Sequence, residues 1–257
     1  MSNPNTISNS KIKLIKRYPH SEKMNGYDWL NSYEFSWLDQ KTGWPQLKLI
    51  SIIIPYQTNF YFDIISLKKY LLSFRDQKTN EDEVIFYIES HLSNCIEHKV
   101  QVHLTDFSEE ACSTIWNLPQ GINLDLGYGI YDCFEYNKDF LINSLINYDE
   151  IRFHKAFSQS FSFMSPLDHM PLLSTLELSW VGSGLIWENL SKYLVSFRDS
   201  SFLMEQGIET IYSDLKSILS PSSLSVKGSF TRRHGFDLNI SRSFHSETPC
   251  FKRYPGH

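Results

Sequence analysis

The sequence predicts an α+β protein built from two copies of one β-β-α-α-β-β unit, and three observations predict it. The octapeptide KYLLSFRD at Lys69–Asp76 returns as KYLVSFRD at Lys192–Asp199, with seven of eight residues identical at an offset of 123 positions. A repeat at that spacing means one structural unit used twice. Each octapeptide also lies on an apolar stripe of helical period: Leu67, Tyr70, Leu71 and Phe74 in the first copy, Leu190, Tyr193, Leu194 and Phe197 in the second. Segments of strand-like alternation bracket both stripes.

The elements follow in order. YEFSW (33–37) and LKLISIII (47–54) read as strands, then come the first helix and a second one carrying Val84, Ile85, Ile88 and Leu92. VQVHL (100–104) closes the first copy. The second copy runs from LELSWV (176–181) through its first helix to a second carrying Ile208, Ile211, Leu215 and Leu219. It ends with LSVKGSF (224–230) and FDLNI (236–240). Hairpins flanking a helix pair imply antiparallel sheets with paired helices on one face. Between the copies, YGIYDCFEY (128–136) reads as a strand and residues 138–147 as a helix. The predicted organisation is a mobile arm at 1–25, a first module at 26–107, a crossover at 108–164 and a second module at 165–257. Residues 26–257 are expected to pack as one pseudo-symmetric domain, because neither copy would cover its sheet alone.

Composition narrows the function classes. Hydrophobic residues make up 41% and aromatics 15%, as a well-packed core requires. A net charge of −5, with no basic stripe of interleaved aromatics, argues against nucleic acid. No apolar run reaches membrane-spanning length and no secretory leader is visible, so a cytoplasmic protein without a membrane partner is expected. Cys95, Cys112, Cys133 and Cys250 are irregularly spaced, with no CxxC pair. That excludes a disulfide framework or zinc ribbon. Cys95-x-x-His98 with His103 is read as a solvated helix end and strand, and no metal is expected.

Longer motifs point to a family. SLKKYLLSFRD (66–76), KYLVSFRD with MEQ (204–206) and IYSDL (211–215), and LSVKGSFTRRHGFDLNISR (224–242) resemble the bimodular NADPH-dependent 7-cyano-7-deazaguanine reductases, the QueF family. GYDWLNSYEFSWLDQKTGWPQL (26–47) is similar to that family's N-terminal approach. The resemblance implies two tandem tunnelling-fold (T-fold) modules, a homodimer, NADPH as cofactor and reduction of a nitrile to an amine. In that chemistry a cysteine thiolate attacks the nitrile carbon to give a thioimide, an Asp handles protons and a Glu anchors the purine-like base.

Carried onto this chain, the cysteine position six residues before Pro171 is Ser165, and the proton-handling position after that proline is Leu172. The His-Glu pair reads Met204-Glu205, and the Glu-Ser-Lys-Ser motif reads Asp63-Ile64-Ile65-Ser66. Ile65 offers no charge to a cofactor phosphate, and a serine hydroxyl is a weak nucleophile without an activating base. Thioimide chemistry is therefore expected to be lost. Ser165 and His169 are the candidate reactive groups, although an extended chain would hold them about 13 Å apart and no triad is read from their spacing.

Glu205, with Met204, Asp63 and Ser66, forms the candidate ligand set. Two of them have a plain alternative: Glu205 as a helix N-terminal acid, Asp63 as a strand-end residue. Arg232, Arg233, His234 and Arg242 form the candidate cofactor or anion site, or else are surface arginines. His234 stands where the family has a glycine. The expected function is a repurposed enzyme for a small planar or nitrogen-rich molecule, in specialised metabolism. A non-catalytic binding protein and an authentic reductase are the alternatives.

Overall fold

The computed structural model describes residues 11–17, 24–107, 118–142, 144–146 and 151–254. The chain divides into two units. The first holds Met1–Pro19, Asp28–Ile115 and Arg232–Leu238, and the second His20–Tyr27, Trp116–Thr231 and Asn239–His257. Most of the expected crossover thus belongs to the second unit, and a short piece after residue 231 belongs to the first.

In the first unit the elements are β1 (Leu14–Lys16), most of β2 (Asn25–Asp39), β3 (Pro45–Pro55), β4 (Phe60–Phe62), α1 (Ile64–Leu72), β5 (Lys78–Thr79), α2 (Glu81–Ile96) and β6 (Gln101–Thr105). The sheet order is β6-β3-β2, with β3 and β6 antiparallel and Ile52 opposite Val102. β1 pairs antiparallel with β4, so residues 14–16 are held in the fold and not part of a mobile arm. Arg17 reinforces this attachment: it is buried, 3.4 Å from the Asp28 carboxylate and over the rings of Tyr56 and Tyr61. Residues 1–10 and 18–23 lie outside the described residues.

The second unit contains β7 (Ile122–Asn123), a 3₁₀ turn (Leu124–Leu126), α3 (Asp139–Ile142), β8 (Leu145–Ile146), β9 (Arg152–Met164), β10 (Pro171–Gly182), β11 (Gly184–Leu185), α4 (Trp187–Val195), α5 (Met204–Leu219) and β12 (Ser223–Arg233). The last strand, β13 (Phe236–Ser243), starts in the first unit and ends in the second. β10 is flanked by β12 and β9, both antiparallel to it.

The repeat holds residue for residue in the helices. α4 and α5 begin and end at the positions of α1 and α2 displaced by 123, and α2 and α5 both stop on a left-handed residue, Glu97 and Ser220. The strands preceding the helices are displaced by 126 instead, because Leu38 of β2 meets Lys78 while Met164 of β9 meets Ser201. The core confirms that register: Phe35 packs on Phe74 at 5.9 Å, and Phe161 packs on Phe197 at 5.5 Å. Every residue of the two KYL-type stripes is buried. Each such Leu or Phe contributes about 1.5–3 kcal/mol. In the second helices Val84, Ile88, Leu92, Ile208, Ile211, Leu215 and Leu219 are buried, whereas Ile85 turns half outward.

Two expectations are corrected. Residues 128–136 form no strand. Their side chains dock instead: Tyr136 packs on Phe197 and Phe202, and its amide donates to Ser200 Oγ at 2.7 Å. The expected helix at 138–147 shortens to α3. The strand that does precede β10 is β9, whose serines interrupt the apolar alternation.

The copies differ at a buried contact between their paired helices. In the second, Tyr193 donates to Asp214 at 2.6 Å, and Tyr136 and Lys138 reach the same carboxylate at 2.7 and 2.9 Å. The position equivalent to Asp214 in the first copy is His91, which stacks on Tyr70 at 4.8 Å. The buried Tyr70 hydroxyl has no hydrogen-bond partner among the described residues.

Candidate functional site

Ser165 follows β9 and opens the loop into β10, and Pro166 and the following residues make that loop a tight turn, not an extended strand. The Ser165 amide donates to Met170 O at 2.9 Å, and the His169 amide donates to Ser165 O at 3.0 Å. His169 takes a left-handed φ of 55° to close the turn. Main chain therefore joins these two residues: Ser165 is buried and its Oγ accepts the Leu167 amide at 3.3 Å, while His169 is exposed. The Asp168 carboxylate also serves the turn, accepting the Met170 amide at 3.3 Å. The hydroxyl accepts from the turn and keeps its own O–H to donate, but among the described residues no hydrogen bond joins it to the His169 ring, so the two are not brought together as a nucleophile and base.

The same end of the second unit carries the start of α5. Met164 and Ser200–Phe202 exchange main-chain bonds at 2.9 Å, which sets the Ser165 turn beside the segment leading to Met204 and Glu205. Met204 and Glu205 are half-buried in the first turn of α5. Leu172 sits on β10 opposite Phe163 and is buried. The residue before α5 is Leu203, and the residue before α4 is Ile186, so neither helix has a side-chain cap acceptor. The first copy differs, since Asp63 caps α1 and Asn80 caps α2. At α5 the Gln206 side chain accepts the Leu203 amide at 3.2 Å, and Glu205 lies in this first turn, at the positive end of the helix dipole.

In the first unit the candidate set is largely committed elsewhere. Asp63 accepts the Ser66 amide at 2.9 Å, and Ser66 Oγ donates to Asp63 O and accepts the Lys13 amide at 3.0 Å. Both residues thus serve as cap and strand fasteners in the first unit. Asp63 directly follows the end of β4 and is the N-cap of α1.

Arg232 and Arg233 precede the two-residue turn His234–Gly235, where φ is 49° and 84°. Two successive positive φ values suit the turn of a tight hairpin. Gly235, at φ 84°, is in the left-handed region that favours glycine, and it lies beside the flexible tip of Lys68. Lys68 donates to Glu34 at 2.9 Å and to Ser32 Oγ at 3.1 Å. That ammonium holds the Glu34 carboxyl below its usual value. Arg232 also bonds Glu34, at 3.1 Å, and lies over the Tyr33 ring.

Arg242 is wholly enclosed. Its Nε and Nη2 donate to Glu209 Oε1 at 3.1 and 2.7 Å, and its Nη1 donates to the carbonyls of Tyr27 and Ser241. Its charge is already neutralised, so the expected four-residue basic cluster loses this member. Gly26 makes the enclosure possible: at φ 148° its missing Cβ would stand 1.9 Å from Ser241 O.

Ile65, Lys68, Arg232 and His234 are poorly suited to an NADPH phosphate, and Arg233 is half-buried at the end of β12. Ile65 carries no charge, Lys68 and Arg232 are paired with Glu34, and His234 puts an imidazole where close backbone approach needs glycine. Among the described residues, no group of three His, Cys, Asp or Glu could hold a metal, and no helix is long and apolar enough to cross a membrane. Cys112 lies outside the described residues.

Residues 4–104 match the family described as "Nitrile reductase, 7-cyano-7-deazaguanine-reductase N-term", and residues 172–249 match "QueF-like protein". The chain is 32% identical over 244 residues to the NADPH-dependent 7-cyano-7-deazaguanine reductases of Legionella pneumophila strains Paris and Lens. Each match covers 93% of this chain and 82% of the relative. A solved structure of the archaeosine synthase QueF-Like in the apo form is similar at a TM-score of 0.32 and 13% identity, over 38% of this chain and 95% of that one.

Proposed function

We propose that this chain, which belongs to the 7-cyano-7-deazaguanine reductase (QueF) family, keeps a ligand anchor at Glu205 and acts on a small planar or nitrogen-rich molecule without thioimide reduction. The observation that carries the reading is Ser165. By resemblance it stands at the position of the attacking thiolate; it is buried, its Oγ accepts the Leu167 amide, and among the described residues no side-chain base is hydrogen-bonded to it. A serine in that setting lacks the base that would make it a nucleophile. Leu172 supports the same reading, as a buried apolar residue where a proton carrier is needed.

A decayed protein would be expected to lose packing as well, and the helix stripes of both copies remain intact. Glu205, in the first turn of α5, carries a carboxylate of the kind that pairs with the donors of a guanine-like edge. Small-molecule binding is thus supported by more than one feature. The reading includes a homodimer, to be checked as a solution mass of twice 30.1 kDa.

The test is native mass spectrometry and equilibrium dialysis with 7-cyano-7-deazaguanine as the probe. The wild type should retain the base or a related heterocycle non-covalently, and Glu205→Ala should bind at least tenfold more weakly. Unchanged affinity in Glu205→Ala would remove the anchor from the account. One observation favours a second reading: the relatives that share 32% identity carry the name reductase. Consumption of NADPH by the purified protein would establish that reading instead.

A further inference from the structure

The two copies, set side by side, differ at one place by a missing side chain. In the first unit the Lys68 ammonium is held by Ser32 Oγ and the Glu34 carboxylate. In the helix register the residue equivalent to Lys68 is Ser191. In the strand register Ser32 and Glu34 correspond to Ser158 and Ser160. The second copy has thus lost both the ammonium and its partner carboxylate. Ser158, Ser160 and Ser191 line a cleft of about 150 Å³ in the second unit. That is the space of about five water molecules.

The cleft has acquired charges of its own. Asp125, at the 3₁₀ turn, accepts Ser158 Oγ at 2.6 Å, Ser160 Oγ at 2.7 Å and the Gln159 amide at 2.6 Å. A carboxylate has about four acceptor sites, so these three bonds leave capacity for one more donor. A carboxylate therefore returns to the serine pair, now from a different segment. Arg198, which follows α4, lines the same cleft. It is exposed and its guanidinium has no ionic partner among the described residues. The lining shares no residue with Ser165, Leu172, Met204 or Glu205.

We propose that this cleft is a binding site for a small zwitterion, an amino acid or ω-amino acid. Its ammonium takes the place that Lys68 fills in the first copy, against Ser158 and Asp125, and its carboxylate meets Arg198. The presence of both charges in one cleft decides the class. A simple cation meets Arg198 unfavourably, a simple anion meets Asp125 unfavourably, and a molecule carrying both charges satisfies both groups.

Isothermal titration at fixed ionic strength tests this with glycine, β-alanine and γ-aminobutyrate. Acetate and methylammonium serve as the half-ligands. At least one zwitterion should bind tenfold or more tighter than either half-ligand. Ser191→Lys, which restores the first copy's residue and fills the cleft, should abolish that binding. Arg198→Ala, an exposed change that leaves the fold alone, should weaken it at least tenfold and covers the case in which Ser191→Lys fails to fold. Absence of zwitterion binding, equal binding of acetate, or full affinity in Arg198→Ala would each overturn the proposal.

Discussion

Tyr70→Phe and Tyr193→Phe remove the same atom from equivalent places in the two copies, and their effects should have opposite sign. The Tyr193 hydroxyl is fully buried and donates to Asp214 at 2.6 Å. Burial, with that carboxylate beside it, pushes the phenol far above its usual pKa, so it stays a donor at every accessible pH. A hydrogen bond to a charged group is worth about 1.5–3 kcal/mol. Tyr136 and Lys138 still serve Asp214 after the change, which places the loss near the lower end, about 1.5 kcal/mol. The Tyr70 hydroxyl is buried without a hydrogen-bond partner among the described residues, a state that costs about 1–3 kcal/mol. Removing it should recover about 1 kcal/mol. The gap between the variants is then roughly 2–3 kcal/mol, or about 5–10 °C in melting temperature for a chain of this size. Urea unfolding measures it, with unchanged slope as the check that the denatured state is unaltered. Equal destabilisation by the two substitutions would refute the reasoning, because it would mean the two hydroxyls have equivalent surroundings.

Three further outcomes follow from the same contacts. Arg242→Met should cost about 3–5 kcal/mol by stranding the enclosed Glu209 carboxylate, and Glu209→Met in the same chain should recover much of it, as thermal melts would show. His234→Gly should stabilise the protein by about 1 kcal/mol, since φ 49° strains any residue with a Cβ; a lower melting temperature would mean the imidazole makes a contact worth more than the strain. His91 titrates low because burial disfavours its charge. The unfolded chain then binds the proton more readily, so stability is full above pH about 6.5 and falls as pH drops through the window below it. In His91→Gln, melting temperatures measured across that window should lose this slope.

The helices were legible because their signal is local: Leu67, Tyr70, Leu71 and Phe74 declare a face within eight residues, and the copy at 190–197 repeats it. Strand β9 was not, since Ser158, Ser160 and Ser162 break the apolar alternation and its register of 126 departs from the helix offset. Segment 128–136 has a strand's composition, but its aromatic side chains pack on α4 and leave no ladder partner. Asp63 three residues before Ser66 carried a readable N-cap signature. Arg242 carried none, because its partner Glu209 is brought to it only by the folded chain. The Lys68-to-Ser191 exchange was visible in the repeat, but Asp125 and Arg198 reach the cleft through tertiary packing alone.

The central claim is that the family's fold persists here without its thioimide chemistry. Incubation of the purified protein with 7-cyano-7-deazaguanine and NADPH, read by NADPH absorbance and intact mass, tests it most directly. The account predicts no NADPH consumption and no covalent adduct at Ser165 or at any cysteine. NADPH oxidation coupled to amine formation, or a stoichiometric adduct, would contradict it and make this chain a working nitrile reductase.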